Sequence, residues 1–213
     1  MLLSAARKNG LILGAFALAA TALLAGTYQL TKGRIAEQKE AQKLAILNAL
    51  IAPSSHDNSL FNDCTLVHDR SALGSRDAMP VYRARKQGAP VAIAMQTVAP
   101  DGYSGAISLM VAMQYPSGTL LGVDVLEDQE TPGLGDKIEK RKSDWLTHFV
   151  GTAPAGPNDP NWGVKKDGGQ FDQFTGATIT PRAVVKAVGK AVLYFRQHKQ
   201  ALFAAPSDCG GSQ

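Results

Sequence analysis

Residues 172–178, Asp-Gln-Phe-Thr-Gly-Ala-Thr, place a hydroxyl where a phosphate would be well received. Ile179, Thr180 and Pro181 follow directly, and the pattern beyond them predicts an amphipathic helix. Val184, Val185, Val188, Ala191, Val192 and Phe195 recur at helical spacing, while Arg182, Lys186, Lys190 and Arg196 fall elsewhere. Thr180 is a good N-cap, and Pro181 suits the first helical position because its missing N–H would be unpaired there. Thr178 therefore precedes a helix N-terminus, whose free N–H groups and dipole favour an anion. Gly176 and Ala177 carry little or no side chain, so a bulky ligand can approach the backbone closely. Those facts do not name the ligand, since an ordinary capping loop has the same composition.

Asp172, Thr175, Gly176, Ala177 and Thr178 together resemble the Asp-x-x-Ser/Thr-Gly-Ala-Thr sequence on which flavin transferases act, moving FMN from FAD onto the last Thr. Every specified position matches. Independently, Glu130-Thr131-Pro132-Gly133-Leu134-Gly135 resembles a loop of the G subunit of Rnf-type (Rsx) ion-translocating electron transport complexes. The similarity continues through Asp136-Lys137-Ile138 and back through Asp101-Gly102-Tyr103-Ser104-Gly105. With His56-Asp57-Asn58 and the apolar N-terminal segment, it covers the chain from about residue 11 to 198.

The resemblance implies FMN held by a phosphoester to Thr178, with Asp172, Thr175, Gly176 and Ala177 around the attachment and residues 130–135 against the flavin. Thr178 is then a tether, and no catalytic residue or metal site is implied. The flavin supplies the redox chemistry, and the protein supplies position and electrostatics. The implied partners are other subunits of a membrane electron transport complex, a flavin transferase for maturation, and the bacterial inner membrane. Two alternatives stand beside this reading. One is the C subunit of sodium-pumping NADH:quinone reductase, which carries FMN similarly. The other is a non-redox periplasmic assembly or binding protein in which residues 175–178 only cap a helix.

Taken by themselves, the residues leave several roles open. Pro132-Gly133 is a turn leaving a strand. Thr131 and Gly135 can present polar groups to a planar ligand, and Leu134 an apolar contact. Glu130 can bond either the ring or a loop amide. Asp172 belongs to the transferase pattern or makes a local turn, and Thr175 serves the phosphate or caps that turn. Trp145 and Phe149 fit core positions better than stacking ones, and Lys165 and Lys166 fit a solvated loop face.

Composition narrows the function classes. The chain has 213 residues, 45% hydrophobic and 19% charged, enough for one globular domain and a membrane segment and unlike a disordered chain. The formal charge of +4 is spread along the sequence without a basic run carrying interleaved aromatics, which argues against nucleic-acid binding. Cys64 and Cys209 lack Cys-x-x-Cys spacing, and His56, His68, His148 and His198 are scattered, so neither zinc nor an iron–sulfur cluster is expected. The two thiols are compatible with one disulfide in an oxidising compartment or with two separate thiols. No Gly-x-Gly-x-x-Gly fingerprint for a nicotinamide is present.

The elements that must position these residues follow from periodicity. Residues 11–30 contain no charge and, at ~1.5 Å per residue, reach the ~30 Å of a bilayer core. Tyr28 suits the membrane interface. A cleaved signal peptide, with Arg7 and Lys8 as its charged region, is the competing reading. The long apolar run and the helical pattern continuing through Ile35, Leu44, Leu47 and Ile51 favour an uncleaved anchor. Arg7 and Lys8 predict a cytoplasmic N-terminus, which places the rest in the periplasm.

Strands are expected over 81–85, 91–98, 107–115 and 119–126, the last two joined through Pro116-Ser117-Gly118. Residues 56–76 are expected to be irregular, 137–150 helical and 152–169 a long loop. The fold class is α+β: an N-terminal single transmembrane helix, then one periplasmic domain with an antiparallel sheet and packed helices. The expected organisation is 1–32 cytoplasmic N-terminus and anchor, 33–52 a continuing helix, 53–205 an FMN-binding domain, and 206–213 a flexible tail.

Overall fold

The structure, a computed structural model, describes residues 2–209. It divides into two units, one up to Lys43 and one from Leu44 onward. Helix α1 spans Leu2–Leu50. From residue 6 to 42 every side chain is exposed, Leu11, Phe16 and Leu24 among them, and the helix is long and apolar enough to cross a membrane. Thr21, Thr27 and Thr31 turn their hydroxyls back onto the carbonyls four residues earlier, each at 2.8 Å, so no polar group of these side chains is left bare.

The second unit is built on a five-stranded antiparallel meander, β1 (Cys64–Val67), β2 (Met79–Lys86), β3 (Ala89–Ala99), β4 (Ile107–Gln114) and β5 (Leu120–Glu127), in sequential order. Both faces of the sheet are covered. Leu109, Val111 and Met113 of β4 point to the side packed by helix α3 (Ile179–Ala204). The alternate residues Met110 and Ala112 meet Leu47, Leu50 and Ile51 on the other side. Double burial explains why 107–113 is an almost unbroken apolar run instead of an alternating one.

Two expectations are corrected. Residues 56–76 are not irregular: they contain β1 and a one-turn helix, α2 (Arg70–Leu73), capped by the Asp69 carboxylate accepting from Ala72 N at 3.0 Å. β1 is four residues paired to β2 alone, too short for its alternation to show in the sequence. Residues 137–150 are not one helix. Gly135–Ile138 and Trp145–Phe149 form separate 3-10 turns. Lys142 bonds back to Asp136 and Glu139, and the Ser143 hydroxyl to the Lys137 carbonyl at 2.5 Å, folding the intervening chain on itself. Trp145, Leu146 and Phe149 still enter the core, so the apolar spacing marked burial and not helix type.

The C-terminal end of α3 is tied down. Arg83, 1% exposed, donates to the carbonyls of Leu202 (3.0 Å) and Ala205 and to the Ser207 hydroxyl (2.7 Å), while its Nε pairs with Asp63 at 2.6 Å. Arg85 shares Asp63, donates to the Phe203 carbonyl at 2.7 Å and lies over the Phe203 ring. Asp208 accepts from Leu66 N at 2.7 Å, and Cys209 is joined to Cys64 in a disulfide. Within the segment expected as a tail, residues 207–209 are thus bonded to the sheet edge. Residues 210–213 lie outside the described residues.

Candidate functional site

Helix α3 begins at Ile179, with Thr178 in the N-cap place and already helical in conformation (φ −81°, ψ −28°). The Thr178 side chain makes no capping bond. Thr180, the expected cap, lies inside the first turn, fully buried, and its hydroxyl donates to Glu130 Oε2 at 2.7 Å. The early start of the helix turns Thr180 inward. Pro181 remains within the first turn, where a missing N–H has no intrahelical partner to lose.

Upstream, Phe171 and Phe174 are sunk in the core while Asp172, Gln173 and Thr175 are exposed between and beside them. Ala177 N donates to the Phe174 carbonyl at 3.1 Å, closing a turn whose third residue, Gly176, has φ +80°. Only glycine takes that conformation without strain. Trp145 Nε1 holds the Asp172 carbonyl at 2.7 Å, and Lys165 Nζ lies 2.7 Å from the Asp172 carboxylate. Arg182 pairs with Asp167 at 2.6 Å, closing the base of the segment. Residues 172–178 are therefore a fixed, solvent-facing loop.

The 130–135 loop follows β5 and meets the first turn of α3. Glu130 is 6% exposed; its Oε1 accepts from Ser104 N at 3.2 Å and its Oε2 from Thr180. Of its two open roles, it takes the loop amide. Gly135 is needed for that approach, because a Cβ there would sit 2.4 Å from Glu130 Oε2 and 2.8 Å from the Thr180 hydroxyl oxygen. The turn through Gly133 is fixed by Asp136, which accepts from Gly133 N at 2.8 Å; a hydrogen bond from Lys142 holds the Asp136 carboxyl below its ordinary range.

These segments enclose a cavity of about 230 Å³. Glu130, Thr131, Leu134 and Gly135 line it together with Gly176, Ala177 and Thr178, and Tyr103, Ile179 and Thr180 complete it. Asp172, Thr175, Pro132 and Gly133 lie outside its lining. The hydroxyls of Thr131, Thr175 and Thr178 have no protein partner among the described residues. Exposed apolar side chains gather at this cavity: Tyr103 (67%), Ile179 (46%) and Leu134 (41%). A free hydroxyl at a helix N-terminus, backbone bared by glycines and an apolar rim fit a planar ligand ending in a phosphate. The volume falls below the ~300 Å³ at which pockets begin to enclose small molecules, so such a ligand would lie partly open to its surroundings.

A larger groove of about 670 Å³ runs along α3 between Trp162 and Lys186; it shares Ile179 with the smaller cavity but is lined by neither Thr178 nor the 130–135 loop. The chemistry gathers at the smaller site. Sequence reasoning gave Tyr103 and Ile179 no role. The signal available for Tyr103 was an aromatic set among Gly102, Ser104 and Gly105 in a segment already singled out.

Residues 102–193 match the FMN-binding domain family, and residues 1–50 match the RnfG N-terminal region. The chain is 54% identical to the G subunit of the ion-translocating oxidoreductase complex of Vibrio atlanticus, over 99% of this chain and 100% of that one. It is 54% identical to the corresponding protein of Shewanella oneidensis, over 95% of each chain, and 53% identical to that of Vibrio cholerae, over 99% and 100%. The crystal structure of Shewanella oneidensis NqrC overlays with a TM-score of 0.49 at 21% identity, covering 72% of this chain and 74% of that one. With relatives matched end to end at this identity, the chain belongs to the family of G subunits of ion-translocating oxidoreductase complexes.

Proposed function

We propose that this chain is a membrane-anchored flavoprotein subunit that carries FMN as a phosphoester on Thr178 and relays electrons within a multisubunit ion-translocating complex. One observation carries the reading. Thr178, which makes no capping bond at the start of α3, lines the cavity shared with the 130–135 loop, inside the stretch that matches an FMN-binding domain. FMN supplies the uptake and release of electrons. The chain's residues do the rest. Thr178 tethers the phosphate end, where the dipole and unpaired N–H groups of α3 offset its charge. Leu134 and Ile179 give an apolar rim that keeps water from part of the ligand, and the Thr131 hydroxyl is free to bond it.

A covalent tether suits a carrier outside the cytoplasm, where a dissociated cofactor could not readily be replaced. The placement is argued from the single candidate span and from Arg7 and Lys8 before it, which favour an inner-membrane anchor with the unit from Leu44 onward in the periplasm. Exposure of Asp172 and Thr175 beside Thr178 leaves the recognition sequence open to a flavin transferase drawing on FAD.

The full chain made together with a flavin transferase should give a yellow-fluorescent band on a denaturing gel, with intact mass raised by one FMN less water. Thr178→Ala should give no band. A wild-type band that stays dark beside an active transferase overturns the proposal.

A further inference from the structure

Tyr103 is 67% exposed, yet the backbone on either side of it is fixed. A Cβ at Gly102 would meet the Gly105 carbonyl oxygen at 2.3 Å and Glu130 Oε1 at 2.9 Å, so the chain there lies directly on its neighbours. Ser104 N is held by the same Glu130 Oε1 at 3.2 Å. The other oxygen of that carboxylate holds Thr180, two residues after Thr178. One buried carboxylate thus ties the Tyr103 turn to the start of α3.

Single exposed aromatics are common on protein surfaces and need no explanation. Tyr103 differs in that it shares a cavity with Leu134, Ile179 and Thr178 and, among the described residues, is the only aromatic lining it. Trp145 and Phe174 are packed edge-on against each other in the core.

We infer that Tyr103 is the aromatic wall of the flavin seat, its phenol stacked on the ring and held at a set reach from the Thr178 tether by Glu130; this rests on the flavin reading above. A cavity too small to enclose a tricyclic ring needs a flat surface to orient it, and offset stacking on an aromatic supplies one. Among the described residues no other side chain of the lining offers a π face.

The test uses the electronic character of the phenol. A tyrosine or tryptophan stacked on a flavin quenches its emission by lending an electron to the excited ring and taking it back, with no net change; phenylalanine and leucine do not. The full-length chain is made with a flavin transferase as wild type, Tyr103→Phe, Tyr103→Leu and Tyr103→Trp. Denaturing-gel fluorescence reports the attached flavin, and native emission is then read per attached flavin. Wild type and Tyr103→Trp should be dim, and Tyr103→Phe and Tyr103→Leu several-fold brighter with the fastest decay component lost.

Equal native emission from wild type, Tyr103→Phe and Tyr103→Leu at equal gel intensity overturns the wall while leaving the tether intact. A dark gel band from wild type removes the tether and the wall with it. Tyr103→Phe removes only a hydroxyl that faces solvent or ligand, so its brightness is not confounded by misfolding.

Discussion

The two ends of α3 are finished in opposite ways. At the C-terminal end, the carbonyls of Leu202, Phe203 and Ala205 are taken up by Arg83 and Arg85, both anchored on Asp63, and a disulfide holds Cys209 to β1. At the N-terminal end, Thr178 makes no cap, Pro181 brings no N–H, and the hydroxyls of Thr131 and Thr178 beside the cavity have no protein partner among the described residues. A helix leaves unsatisfied groups at both ends, and most proteins close both with their own side chains. Here one end is closed from within, and the other keeps free hydroxyls at the cavity proposed for the flavin. The charged clamp and the disulfide sit away from the proposed site, which lets that end be open without loosening the helix.

The sharpest way to break that contrast is Arg83→Ala. Asp63 would keep Arg85, but the Leu202 and Ala205 carbonyls would lose their donor from Arg83, and each buried acceptor left unsatisfied costs about 1–3 kcal/mol. Urea denaturation should register that loss, while flavin attached per folded molecule at Thr178 stays at the wild-type level. Attachment falling further than the folded fraction would mean that the two ends are not independent.

The sequence showed the two ends unequally. Thr178 and the 130–135 loop were legible because short chemical patterns fix them, and the β4–β5 hairpin because Pro116-Ser117-Gly118 interrupts two apolar runs. Arg83 was not. Within 81–85 it is only one member of an alternating strand, and its partners at Leu202 and Ala205 lie more than a hundred residues away. Thr180 was misassigned for a related reason: local rules make it a cap, but a buried carboxylate fifty residues earlier draws its hydroxyl inward. Likewise, the spacing of Trp145 and Phe149 reported burial correctly and helix type wrongly, since apolar periodicity cannot see Lys142 and Ser143 folding the chain back.

Thr180 is where the open end is closed after all, so it sharpens the comparison. Thr180→Val keeps the shape and removes the donor to Glu130 Oε2, leaving a buried acceptor unsatisfied at about 1–3 kcal/mol. The urea midpoint should fall accordingly, by less than for Arg83→Ala. An unchanged midpoint would show that Glu130 finds another donor and that the N-terminal turn does not depend on it.

The smallest effects belong to two carboxylates near the open end, and they should carry opposite signs. The hydrogen bond from Lys186, aided by the charges of Lys186 and Lys190, holds the Asp101 carboxyl below its ordinary range. A depressed folded-state value contributes stability above the unfolded pKa of ~3.9, lost as pH falls through the folded value. Burial, reinforced by the charges of Glu139 and Glu130, pushes Asp128 the other way. A raised value favours the folded state below the unfolded pKa, and that advantage disappears as pH rises through the folded value. Asp101→Asn should therefore lower the urea midpoint at pH 7, by under about 1 kcal/mol because the pair is half exposed, and less in high salt. Asp128→Asn keeps the acceptor for Glu130 N and should raise the midpoint at pH 7. The Asp128 difference should close once pH falls below the unfolded pKa of ~3.9, and the Asp101 difference only at lower pH, as its depressed folded value is passed. Shifts of the same sign at pH 7 would mean that Asp128 is stabilised as an anion next to Glu130, and that the rim of the cavity is better compensated than the C-terminal clamp.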